Sequence, residues 1–160
     1  MELSYTGLIF AGIGAVLAIA LPGLGSIIGT SIAGRAASGI VSENPDLFGK
    51  ALLLEALMSS QAVYGFLVFI LVLQKVGFVG GTAVEISSGT GLLILMGCLP
   101  VAMTALFSAI AQGQIAASGM GVIARHSDAM GKAIILAAMA ETFAVFGLLG
   151  SILLLQGIAI

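Results

Sequence analysis

A chain of 160 residues is long enough for one ordinary soluble domain, but 60% of it is hydrophobic, only 8% is charged, and its mean hydropathy is +1.26. A water-facing surface needs far more charge, so composition excludes a soluble globule, and a net charge of −2 offers nothing to nucleic acid. The single cysteine, Cys98, cannot form an intramolecular disulfide and says nothing about redox compartment.

The chain opens Met1-Glu2-Leu3 with no basic stretch, so its first apolar run is expected to be a membrane helix rather than a cleaved signal peptide. No charge follows until Arg35, and the first helix is expected near 5–41. It carries Gly25, Gly29 and Ala33, with Ser26, Thr30, Gly34 and Ser38 on the adjacent stripe. Small residues at every fourth position let backbones approach closely, a main source of helix association in lipid. After the polar turn Ser42-Glu43-Asn44-Pro45-Asp46, a second helix near 47–76 is bulkier, with Leu52, Leu53, Leu54, Phe66 and Phe69. A link from Gly77 to Thr90, rich in Gly and Ser, leads to a third helix near 87–124. This helix repeats the small stripe at Ala105, Ala109, Gly113, Ala117 and Gly121. Arg125-His126-Ser127-Asp128 is a second polar turn, and the fourth helix, near 129–159, is again bulky, its apolar run after Lys132 interrupted only by Glu141.

Spanning hydrocarbon takes ~20 residues, so each segment suffices, and the fold class is an all-α membrane protein with four transmembrane helices. The first and third, at ~1.5 Å per residue, reach ~50 Å and should project into water. Arg35, Lys50, Arg125 and Lys132 flank the two polar turns, and only Lys75 lies at the other side. The positive-inside bias therefore puts both turns in the cytoplasm and both termini outside.

The chain also repeats itself at an offset of 82. Without a gap, Asp46 pairs with Asp128, Gly49-Lys50-Ala51 with Gly131-Lys132-Ala133, and Ala62-Val63-Tyr64-Gly65 with Ala144-Val145-Phe146-Gly147. Two tandem duplicated helical hairpins, 1–80 and 81–160, are expected to form one membrane domain. The small-residue stripes suit tight packing within one bundle. A sharper reading makes the first and third helices a crowded inner wall, with stripes too long for one hairpin pair to bury. That reading favours a homo-oligomeric ring.

Gln112 and Glu141 lie equally far from the midpoint between Arg125 and Asp128, ~22 Å along antiparallel helices. Ser59 is the repeat counterpart of Glu141, so Ser60 and Gln61 are level with it as well. One carboxylate and several neutral oxygens from three helices are what a hard monovalent cation needs in place of its hydration shell. Tyr64, one turn beyond Ser60, is placed to hold the carboxylate by a hydrogen bond. A buried Gln or Ser can be mere interhelical glue, but a Glu near mid-bilayer costs a few kcal/mol and marks function by default. Glu55 lies ~9 Å toward the cytoplasm from Gln61 and either reaches the interface or helps an ion enter. His126 reads as a solvated turn residue, and Thr30, the counterpart of Gln112, as packing.

Ala111-Gln112-Gly113, Ser60-Gln61-Ala62-Val63-Tyr64-Gly65 and Ala138-Met139-Ala140-Glu141-Thr142 resemble the proteolipid (K or c) subunit of prokaryotic V/A-type ATPases, closest to its sodium-pumping members. The resemblance covers essentially the whole chain. It implies Na+ ligation by Glu141, Gln112, Gln61, the Ser60 hydroxyl and the Leu57 backbone carbonyl, with Tyr64 supporting Glu141. Met58 and Ser60 stand where relatives often have Pro and Thr. The implied role is non-catalytic by itself: a rotor ring in a prokaryotic cell membrane, turned by ATP hydrolysis in a separate head. The implied partners are identical copies, lipid, a stator membrane subunit supplying an arginine, and a central-stalk subunit at the cytoplasmic turns. One carboxylate per four helices favours pumping over ATP synthesis. A proton site needs only a carboxylate of raised pKa, so the extra oxygens favour Na+ over H+. A small four-helix exporter or pore is the reading from another class.

Overall fold

The computed structural model describes residues 5–81 and 84–160, and all their regular structure is helical. Met1-Glu2-Leu3, and positions 82 and 83 of the expected link, lie outside the described residues. Helix α1 is Thr6–Glu43, α4 is Ser88–Arg125 and α5 is Met130–Gln156. The second crossing is not continuous: α2, Phe48–Ala56, meets α3, Ser60–Lys75, through a 3-10 turn at Leu57–Ser59. With their flanking short turns, four stretches of 38, 31, 38 and 30 residues are long and apolar enough to cross a membrane. At ~1.5 Å per residue the longest reach ~57 Å, nearly twice a hydrocarbon core of ~30 Å.

Local chemistry sets the ends. Asn44 leaves α1 in extended backbone, its side chain accepts the Asp46 N–H at 3.1 Å, and Pro45 opens the following 3-10 turn. Ser87 caps α4 by accepting the Thr90 N–H at 3.1 Å. In the link, Gly77 and Gly81 take positive φ, which glycine adopts without strain. At the other end, Lys50 Nζ donates to the Ser127 carbonyl at 2.8 Å and ties the two turns together.

The centre of the structure is the α1–α4 pair, with α2 and α3 against both and α5 along α4. Its backbones touch. A Cβ added at Gly25 would meet the Leu106 backbone, one at Gly29 the Ala109 carbonyl, and one at Gly113 the Gly29 backbone. Ala33, Ala105 and Ala109 are fully buried in the same seam. The expected stripe does not run its full length: Gly121 faces open space, while Ala116 and Met120 are buried instead. A four-residue step overshoots the 3.6-residue turn by ~40°, so the stripe rotates off the seam after a few turns.

Both hairpins use one device to seat the bulkier helix. Gly65 on α3 abuts the Ala18 carbonyl and Pro22, and Gly147 on α5 abuts the Pro100 carbonyl and Thr104, each the counterpart of the other at the 82-residue offset. The exterior is apolar: Phe143, Phe146, Leu153 and Ile27 are all more than half exposed, which suits lipid or further copies.

Gly113→Ala should destabilise the detergent-solubilised protein by ~1–3 kcal/mol because backbone must shift to admit the methyl. Gly121→Ala should be neutral or stabilising, within ~1 kcal/mol, by the helix preference of alanine. Thermal unfolding of both variants tests the seam.

Candidate cation site

The break between α2 and α3 is where the site begins. Neither Pro nor Gly occupies the 3-10 turn Leu57–Ser59, and a side-chain hydroxyl bonds into it. The Leu57 carbonyl accepts both the Ser60 N–H and, at 2.9 Å, the Ser60 hydroxyl. Across the groove, Ser26 Oγ takes the Ala62 N–H at 3.2 Å. Hydroxyls that capture backbone groups in this way tighten a turn locally. The Leu57 carbonyl, Ser60 Oγ and Gln61 Oε1 are thereby gathered on one turn, the last two 3.3 Å apart.

Glu141 reaches them from α5. Tyr64 Oη donates to its Oε1 at 2.7 Å, and Gln112 Nε2 donates to its Oε2 at 3.3 Å. Gln61 Nε2 donates to Gln112 Oε1 in a short hydrogen bond, so a line of polar groups runs from Ser60 through both amides to the carboxylate. Gln61 and Gln112 are fully buried, while Glu141, Tyr64 and Ser60 are partly so. Among the described residues no buried side-chain nitrogen or oxygen is left without a partner. In a low-dielectric interior a satisfied network of this kind fixes its members in place.

The structure therefore brings together Glu141, Gln112, Gln61, Ser60, Leu57 and Tyr64, drawn from α3, α4, α5 and the 3-10 turn. Two carboxylate oxygens, two amide oxygens, a hydroxyl and a carbonyl are within reach of one another through that network. The set carries a single negative charge, which matches a monovalent ion rather than a multivalent one. Among the described residues no group of three or more His, Cys, Asp or Glu converges as a metal centre would need.

Glu55 is not part of this cluster. It lies on the other face of α2, in a groove toward α1 that it shares with Thr30, Gly34 and Ser59. His126 is exposed in its turn, and Cys98 is buried in the α1–α4 core. Ser108, which no expectation from the sequence included, bridges the network: its hydroxyl donates to the Ala140 carbonyl at 2.7 Å and accepts from Gln61 Nε2 at 3.4 Å. It is four residues before Gln112 and the repeat counterpart of Ser26, two signals that point to it.

Among known protein families, the one described as the ATP synthase C subunit matches residues 13–72 and again 95–154. The chain is 38% identical over 148 residues to the V-type sodium ATPase subunit K of Enterococcus hirae, covering 92% of this chain and 91% of that one. It is 40% identical over 151 residues to the A-type ATP synthase subunit K of Methanocaldococcus jannaschii, covering 94% of this chain and 64% of the other.

Ser108→Ala should cost ~1–3 kcal/mol, since it strips partners from the Ala140 carbonyl and the Gln61 amide inside the network. Ser118→Ala removes only an exposed bond within its own helix, to the Gln114 carbonyl at 3.1 Å, and should stay within ~0.5 kcal/mol. The shift in unfolding midpoint separates the two.

Proposed function

The chain belongs to the ATP synthase C-subunit family, and from that premise we propose that it carries Na+ across the membrane as a rotor subunit, one ion per chain at Glu141. Membership makes it a multi-pass membrane subunit of a rotary ATPase complex, and sets aside a small exporter. The observation that carries the sodium reading is the meeting of one carboxylate with the oxygens of Gln61, Gln112, Ser60 and Leu57. A proton carrier needs the carboxylate alone, whereas a desolvated sodium ion needs neutral oxygens to replace its water. The name of the Enterococcus relative, a sodium ATPase subunit, supports the same ion.

The steps follow from charge in hydrocarbon. A bare carboxylate is expensive in lipid, and a bound cation neutralises it, so the loaded site turns away from the stator without exposing charge. In that state Gln112 presents its amide oxygen to the ion and Tyr64 keeps its hydroxyl on Glu141. An arginine fixed on a stator membrane subunit favours the empty carboxylate and releases the ion. The hairpins 1–80 and 81–160 are units of the same origin, and only the second has its carboxylate, since Ser59 stands opposite Glu141 in the repeat. One ion per four helices suits pumping against a steep gradient. The basic residues favour a cytoplasmic position for the polar turns in a prokaryotic cell, where they meet the central stalk.

A hydrophobic carbodiimide should label Glu141 in the assembled complex, and Glu141→Gln should abolish the labelling. Sodium at about ten times its Kd should slow that labelling about tenfold, by occupying the site, while potassium should not. Labelling that responds to pH and ignores sodium would assign the rotor to protons.

A further inference from the structure

Glu55 is a second carboxylate held away from the turns, six residues from Gln61 on α2. It lines a groove of about 880 Å³ between α1 and α2 with Ser26, Thr30, Ser31, Arg35 and Ser59. Among the described residues it has no hydrogen bond or ion pair, and the one cation beside it, Arg35, instead donates to Ser31 Oγ at 3.2 Å.

The internal repeat indicates that the groove is fitted to this carboxylate. At the 82-residue offset Glu55 corresponds to Ala137 and Gly34 to Ala116. In the second hairpin those two alanines are fully buried together in an apolar cluster with Ala33 and Met58. In the first, a Cβ on Gly34 would lie 2.9 Å from Glu55 Oε1. Exchanging one alanine for Glu and the other for Gly thus puts a carboxylate where the repeat has packed methyls. Thr30 and Ser59 occupy the positions matching Gln112 and Glu141, so the groove is the first hairpin's version of the Glu141 site. Its charge is moved one helical turn, four residues, from Ser59 toward the polar turn.

We propose that this groove is a second monovalent-cation site, with Glu55 as its charge and the hydroxyls of Thr30 and Ser59 as its neutral oxygens. Hydroxyl oxygens and one carboxylate suit a hard cation. The Arg35 guanidinium in the same groove opposes tight binding, so the ion exchanges readily with water. The site lies between the polar turn and the depth of Glu141, on the other face of the helix. The inference rests on the sodium reading of Glu141 only for the identity of the ion.

Radioactive sodium bound by the purified assembled complex, titrated over concentration, tests it. The wild-type protein should fill in two steps, tight then weak, with the second at least tenfold weaker. E55Q should lose the weak step alone, E55D should restore it, and E141Q should lose the tight step alone. A single step that E141Q abolishes entirely overturns the groove site and leaves the Glu141 reading intact. A tight step that survives E141Q overturns the Glu141 reading instead. Should E55Q not assemble, residual weak binding in E141Q decides the matter, and its absence overturns the inference.

Discussion

Hydrocarbon offers a carboxylate no water, so Glu141 has to find its hydrogen-bond partners within the protein. Tyr64 and Gln112 serve the two carboxylate oxygens directly, and they do so from different helices. Gln112 can point at Glu141 because its own carbonyl oxygen is held by Gln61, and Gln61 is in turn steadied by Ser108. Removing any member leaves a polar group stranded in a low-dielectric space, so the network acts as one unit. The 3-10 turn at Leu57–Ser59, the two buried glutamines and the packing of α5 along α4 all surround that carboxylate.

The repeat indicates how one scaffold can hold two environments. Gly65 and Gly147 seat their helices against the same carbonyl position, and Ser26 and Ser108 sit at matching places, yet they do different work. Ser26 accepts a backbone N–H from Ala62, whereas Ser108 donates to the Ala140 carbonyl and receives an amide hydrogen from Gln61. Packing positions have stayed alike while polar positions have diverged. Phe143 stands where the first hairpin has Gln61, and it lines an apolar groove with Met103, Phe107 and Met139 instead of joining a network.

Most of the fold was legible because lipid imposes a coarse rule: long runs without charge are helices, and polar clusters between them are turns. Counting residues from the second turn also gave the shared depth of Gln112 and Glu141, since rise per residue is constant in a regular helix. Azimuth was harder to read. Six residues turn a regular helix by about 600°, which leaves Glu55 about 120° round from Gln61, so Glu55 faces α1 while Gln61 faces α4. The 3-10 turn at Leu57–Ser59 carries no Pro or Gly to announce it, and a hydroxyl-to-carbonyl bond lies across it. Ser108 was hidden by its resemblance to the small-residue packing around it. The rotation of the α4 stripe away from Gly121 reflects the mismatch between a spacing of four and a period of 3.6.

The glycine seam between α1 and α4 has a mechanical consequence. Where Gly25, Gly29 and Gly113 meet the opposing helix, main chain rests on main chain. Side chains can change rotamer under load, but peptide planes cannot, so this contact has little slack. A torque applied to one hairpin therefore reaches the other with little lost to compliance. The two hairpins are thereby joined as one stiff body, with no layer of side chains between them at these points to yield.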